Sequence, residues 1–98
     1  PDSGGKTGIS VQPLTQDLAR QLNIDADVKG VVVKTVTPGS SADRAGIRAR
    51  DVIVEIDNTP VTSVASFASA VKNLKKGHTA IVVVQRADRT SIIEMPID

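Results

Sequence analysis

The chain has no cysteine, no tryptophan and no tyrosine, and Phe67 is its only aromatic residue. Without cysteine there are no disulfides and no thiol chemistry, while the compartment stays open because reducing and oxidising surroundings both tolerate such a chain. With one ring in 98 residues the core has to be aliphatic, and unpaired bases find no platform to stack on. Charge of one sign is also scarce: the formal net charge is +1, with no run of like charges and no basic face for a phosphate backbone, so nucleic acid is not an expected partner. No apolar run approaches the roughly 20 residues that span a bilayer, and no secretory signal opens the chain, so direct membrane insertion is not expected. The length fits one domain, which excludes an active site split between two. Pro1 as first residue leads us to expect a fragment cut from a longer protein. What is present, 40% apolar and 23% charged residues, is the balance of an ordinary globular protein rather than a disordered or fibrous one.

Residues 1–5 are polar and glycine-rich and are read as a linker or remnant, with the folded domain spanning 6–98. Ile9, Ser10, Val11 and Gln12 alternate up to Pro13, which suits a short strand at an edge. Thr15 is placed to cap a short helix with Leu18 and Leu22 on one side, preceded by Leu14. The β-branched run Val31–Thr37 predicts a strand that Pro38 and Gly39 end. Ser40 or Ser41 caps a helix of little more than a turn through Ala45, stopped by Gly46. Asp51–Ile56 is the next strand; Asp57 and Asn58 tolerate the left-handed backbone of a tight reversal before a short extended piece at Pro60 and Val61. From Thr62 or Ser63, the residues Val64, Phe67, Ala68, Val71 and Leu74 follow helical steps, with Lys72, Lys75 and Lys76 at the end and Gly77 as left-handed stop. Ala80–Gln85 and Thr90–Ile97 are two final strands joined around residues 87–89. The expected architecture is α+β: about five mostly antiparallel strands in a small sandwich or open barrel, closed by the helix that carries Phe67.

The motifs that would carry chemistry fail on inspection. Gly5-Lys6-Thr7 resembles the end of a phosphate-binding loop, but the glycine five positions earlier would precede Pro1 and a strand rather than a helix follows. Asp25, Asp27 and Gly30 match three positions of a calcium loop, yet Val36 stands where the bidentate Glu is needed. His78 is the only histidine, follows Gly77 in a turn, and has neither a Gly-x-Ser-x-Gly elbow nor cysteine partners. No catalytic centre, metal site or cofactor is therefore expected. What remains is the glycine-bearing loop Lys6-Thr7-Gly8-Ile9 leading straight into a short strand, beside a helix with a small apolar face. Such a loop can aim successive backbone N–H groups at one anion, and an edge strand offers unpaired groups to an incoming extended peptide.

The order Lys6-Thr7-Gly8-Ile9, Gly30-Val31-Val32-Val33, Pro38-Gly39-Ser40-Ser41-Ala42 with Ala45-Gly46-Ile47, and Asp51-Val52-Ile53 resembles a PDZ domain from Lys6 onward. Leu14–Ala19 after the first strand, and the hairpin from Gln85-Arg86 to Met95, are similar to the circularly permuted type found in bacterial HtrA/Deg (Do-like) serine proteases. The resemblance implies that the amides of Thr7, Gly8 and Ile9 bind a terminal carboxylate, that the strand from Ile9 through Ser10 and Val11 to Gln12 pairs with the peptide, and that Ile9, Val11 and Val71 line the pocket for its last side chain. Val64 and Ala68 would meet the residue two before the end. Val64 stands where a histidine selects Ser or Thr in one PDZ class, so an apolar ligand residue is expected there; Phe67 and Leu74 would be core. Lys6 and Thr7 replace the usual bulky apolar loop residues, which implies a shallower pocket, and Ala49-Arg50 replace the usual Pro-Gly, which implies a looser turn or an uncommon backbone at Arg50. The implied role is a non-catalytic, substrate-recruiting or regulatory domain of an envelope serine protease in protein quality control, in the periplasm. Its partners would be C-terminal or unfolded segments with apolar ends, the protease domain of the same chain, and further copies in an oligomer. The alternatives are a module that fastens subunits together, or the PDZ domain of another host such as an intramembrane protease or a secretion component.

Overall fold

The computed structural model describes residues 8–25, 28–75, 77–86 and 89–97; the linker and the loop residues Lys6 and Thr7, together with Asp27, lie outside them. The elements run β1 (Ile9–Pro13), α1 (Gln16–Gln21), β2 (Val31–Val36), α2 (Ser41–Ala45), β3 (Val52–Ile56), β4 (Thr59–Pro60), α3 (Val64–Lys72), β5 (Thr79–Arg86) and β6 (Arg89–Pro96). All six strands belong to one antiparallel sheet ordered β1-β2-β3-β5-β6, with β4 hanging on β3. The count exceeds the expected five because the extended piece after Asn58 pairs, Thr59 with Ile56 and Pro60 with Glu55. The reversal before it uses left-handed backbone at both Asp57 (φ 49°) and Asn58 (φ 68°), the geometry whose twist matches flanking strands.

Each helix begins where a hydroxyl is available to an orphan amide. Thr15 Oγ1 accepts from Leu18 N–H at 3.2 Å, Ser40 Oγ from Asp43 N–H at 3.3 Å, and Ser63 Oγ from Ser66 N–H at 3.1 Å. At six and five residues, α1 and α2 are too short to persist alone, and packing holds them. Ala19 of α1, with Leu14, Leu18 and Leu22, rests on Val32 and Val52 in a small cluster on one face of the sheet. The opposite face carries the main cluster, where Ile9, Val31, Val33, Ile53, Ile56, Val82, Val84 and Met95 close around Phe67. Phe67 is fully buried, so its ring and the aliphatic shell fix α3 to the sheet.

Gly77 does not end the long helix. The last turn tightens at Lys72 and Asn73, where Leu74 N–H bonds to the Val71 carbonyl at 3.0 Å and swings Leu74 into the core, leaving Lys75 beyond the helix. Gly77 does take a left-handed conformation (φ 81°), but in a later turn where its N–H reaches the Ile97 carbonyl at 2.8 Å and ties the start of β5 to the end of β6. Arg50 adopts the uncommon backbone expected from its missing glycine, φ 76°, with its N–H on the Val33 carbonyl at 2.8 Å.

Candidate functional site: the open edge of β1

β1 is the last strand at one end of the sheet, paired on one side only. The side that faces away from β2 follows from three hydrogen bonds. Thr37 N–H donates to the Gly8 carbonyl at 2.8 Å, so that carbonyl points at β2 and, across the trans peptide, Ile9 N–H points away from it. Val33, opposite Val11, uses its N–H on the Asp51 carbonyl and its carbonyl on Arg50 N–H, both on the β3 side, so Val11 has no ladder partner there. Alternation then turns Ile9 and Val11 outward, and Ser10 and Gln12 inward. Pro13 falls in the outward set, where a residue without N–H leaves no ladder bond unmade. The register slips between Ser10 and Val11 because Lys34 is an extra residue on β2, a bulge that leaves the alternation of β1 unbroken.

Gly8 sits where only glycine fits. Its φ is 79°, and a Cβ built there would come within 2.4 Å of Ser40 Cβ and 2.6 Å of Ser40 Oγ. Gly8 is thereby held against Ser40 at the N-terminus of α2, directly before the outward Ile9 N–H. Thr7, the third expected amide, lies outside the described residues.

α3 packs alongside this edge. Val64 and Ala68 are half-buried and Val11 likewise, so a surface of small apolar side chains remains between strand and helix. Ile9 and Val71, expected as pocket lining, are 1% and 3% exposed and belong to the main core. Phe67 and Leu74 are core, as expected. What the arrangement offers chemically is a run of outward N–H and C=O groups next to an apolar strip, which is the requirement for adding a strand.

Three features escaped the sequence. Asp51, 9% exposed at its side chain, is gripped by Arg86 through a two-pronged fork, Nε to Oδ1 and Nη2 to Oδ2, each at 3.1 Å, and also accepts from Arg48 N–H at 3.1 Å. Gly30 is obligatory for a close approach: a Cβ there would stand 2.4 Å from the Ile53 carbonyl oxygen. His78 Nε2 lies 3.2 Å from Asp57 Oδ2, a half-exposed pair between turns. None of these touches the β1 edge; they brace the sheet. Among the described residues, no three His, Cys, Asp or Glu side chains gather closely enough to hold a metal ion.

The PDZ domain family model matches residues 5–97. A probable periplasmic serine endoprotease, DegP-like, from Rhizobium meliloti is 30% identical over 95 residues, which cover 97% of this chain and 19% of that protein. The multi-heme protein MamP of Magnetospirillum gryphiswaldense is 37% identical over 81 residues, covering 83% of this chain and 29% of that protein. The chain thus spans less than a third of the length of these two curated relatives. Among solved structures, the HtrA-type protease AlgW with a decapeptide superposes with a TM-score of 0.82 at 26% identity, over 93% of this chain and 28% of that one. The HtrA3 PDZ domain bound to a phage-derived ligand (FGRWV) superposes at 0.76 with 22% identity, over 93% of this chain and 82% of that one, a likeness of fold. On the family match across almost its whole length, the chain belongs to the PDZ domain family.

Proposed function

We propose that this domain captures the C-terminal end of an extended polypeptide by strand addition to β1, as a non-catalytic recruiting or regulatory module of an HtrA-type serine protease in the periplasm. The observation that carries the reading is the outward alternation of Ile9 and Val11 on an edge strand that α3 flanks. The ligand's carboxylate meets the amides of Thr7, Gly8 and Ile9; Ser10 and Gln12 hold the strand to β2 while Ile9 and Val11 bond the peptide. Because the carboxylate sits at the N-terminal end of β1, the ligand runs antiparallel to it. Val64, Ala68 and Val71 meet its apolar side chains, and Lys6 and Thr7 in place of bulky apolar loop residues favour modest affinity. The decapeptide in the AlgW structure and the DegP-like relatives support both the ligand class and the host. In the intact protein the protease domain and further copies are its covalent and assembly partners.

The test is a titration with free-acid and amidated versions of one apolar-ended decapeptide, followed by amide shifts. The expected result is shifts at Gly8–Gln12 and on Val64, Ala68 and Val71, with the free acid binding about tenfold more tightly. Equal binding of the two forms removes the carboxylate from the reading, and shifts located elsewhere remove the groove.

A further inference from the structure

Two open cavities of about 630 and 250 Å³ share Lys34 and Ala49 in their walls, the larger beside α2 and the smaller against α1 on the face opposite the main core. Together they form a trough that runs from α1 across β2 to α2. Its cations are Lys34, Arg48 and Arg50, all exposed, and no carboxylate lies within ion-pair distance of them among the described residues. The carboxylate in the wall, Asp43, already accepts from Gly39 N–H at 2.8 Å. For a chain of formal charge +1, this is a local concentration of unmatched positive charge.

Two backbone irregularities put those cations there. Lys34 is the bulged residue of β2, so it projects on the same face as Thr35 and Ser10. Arg50 holds φ 76°, a conformation that glycine would adopt without strain. A side chain kept at a strained position is the pattern of sites where the side chain has a use.

We propose that the trough binds acidic side chains on the upstream part of the same polypeptide whose end β1 captures. This rests on the reading of β1 as the capture strand. A peptide antiparallel to β1 presents alternate side chains to opposite faces. Those of the last and third-from-last residues turn towards α3; those of the penultimate and fourth-from-last turn to the face of Ser10 and Gln12. Gln12 itself lines the trough next to Lys34. A glutamate at the fourth-from-last position therefore arrives beside Gln12 at the cavity that Lys34 and Arg50 line, and one at the penultimate position arrives beside Ser10 and Thr35, at the cavity that Lys34 and Arg48 line.

The experiment compares three free-acid decapeptides with one apolar ending, carrying Glu, Gln or Lys at the penultimate, fourth- and sixth-from-last positions. Affinity and amide shifts are measured on the wild type and on a Lys34→Gln/Arg48→Gln/Arg50→Gly variant. The expected result is that the Glu peptide binds roughly fivefold more tightly than the Gln peptide at low salt, the scale of a few exposed ion pairs. The advantage shrinks as salt rises and disappears in the variant. Arg50→Gly alone raises the unfolding midpoint while lowering affinity for the Glu peptide, which keeps the outcome separate from misfolding. Equal affinities for Glu and Gln peptides, with Gly8–Gln12 still shifting, overturn the trough and leave the capture strand standing. Shifts at Lys34 and Arg50 without any at Gly8–Gln12 overturn the shared ligand, because the trough then takes acidic segments by itself. No shifts at Gly8–Gln12 with any of the three peptides overturn the capture reading on which the trough's role depends.

Discussion

β1 and β6 are the two ends of one sheet, yet β1 has five residues and an interrupted register, whereas β6 has eight and pairs with β5 without a break from Thr79–Pro96 to Arg86–Arg89. β6 carries the devices that blunt an edge: charged Arg89 and Glu94 and a proline at position 96, with α2 packed against it. β1 carries Pro13 at its far end and is short. Its outward groups at Ile9 and Val11 are left available and framed by Val64 and Ala68. The long edge is thus covered and charged, and the other is short and open on its outer side. A short strand limits edge-to-edge aggregation while keeping enough ladder for a peptide.

The contrast can be broken at several points. The largest effect is expected from Phe67→Ala, which removes the ring that fixes α3 beside β1; about 3–5 kcal/mol of stability is lost, measured by urea unfolding. Gly8→Ala comes next, because it combines a left-handed backbone with an overlap on Ser40; about 2–4 kcal/mol is lost, and peptide binding falls with it. Asp51→Asn breaks the fork to Arg86 on the paired side of the sheet and costs about 1–3 kcal/mol without changing affinity at β1, which calorimetry on both quantities separates. Ile92→Thr, at a side chain 70% exposed on β6, is expected to change stability by less than about 0.5 kcal/mol. A loss of peptide affinity in that last variant would mean that β6 takes part in binding and that the two edges are not distinct.

Much of this layout was legible in the sequence, and for identifiable reasons. The strands carry their own pattern, β-branched runs in β2 and β5 and alternation in β1, and each helix cap is a hydroxyl at the position expected. Asp57-Asn58 were readable because those residue types tolerate left-handed backbone, whereas Arg50 was readable only through the resemblance, as the residue standing where the family has glycine. The end of α3 was not readable: Lys75 continues the helical composition, and only the pull of Leu74 into the core stops the helix at Lys72. The Asp51–Arg86 fork joins residues 35 apart in sequence, which no periodicity reveals. The depth of the groove was also hidden, since an apolar residue facing a pocket and one sealed in the core follow the same spacing. Ile9 and Val71 turned out to belong to the main core cluster.

The central claim is that β1 adds a strand through alternate residues, and amide hydrogen exchange at four adjacent positions tests it most directly. Saturation with an apolar-ended free-acid decapeptide should slow exchange at Ile9 and Val11, whose N–H groups face away from β2, and leave Ser10 and Gln12, already turned towards it, nearly unchanged. Equal slowing at all four, or none at Ile9 and Val11, would contradict strand addition at this edge.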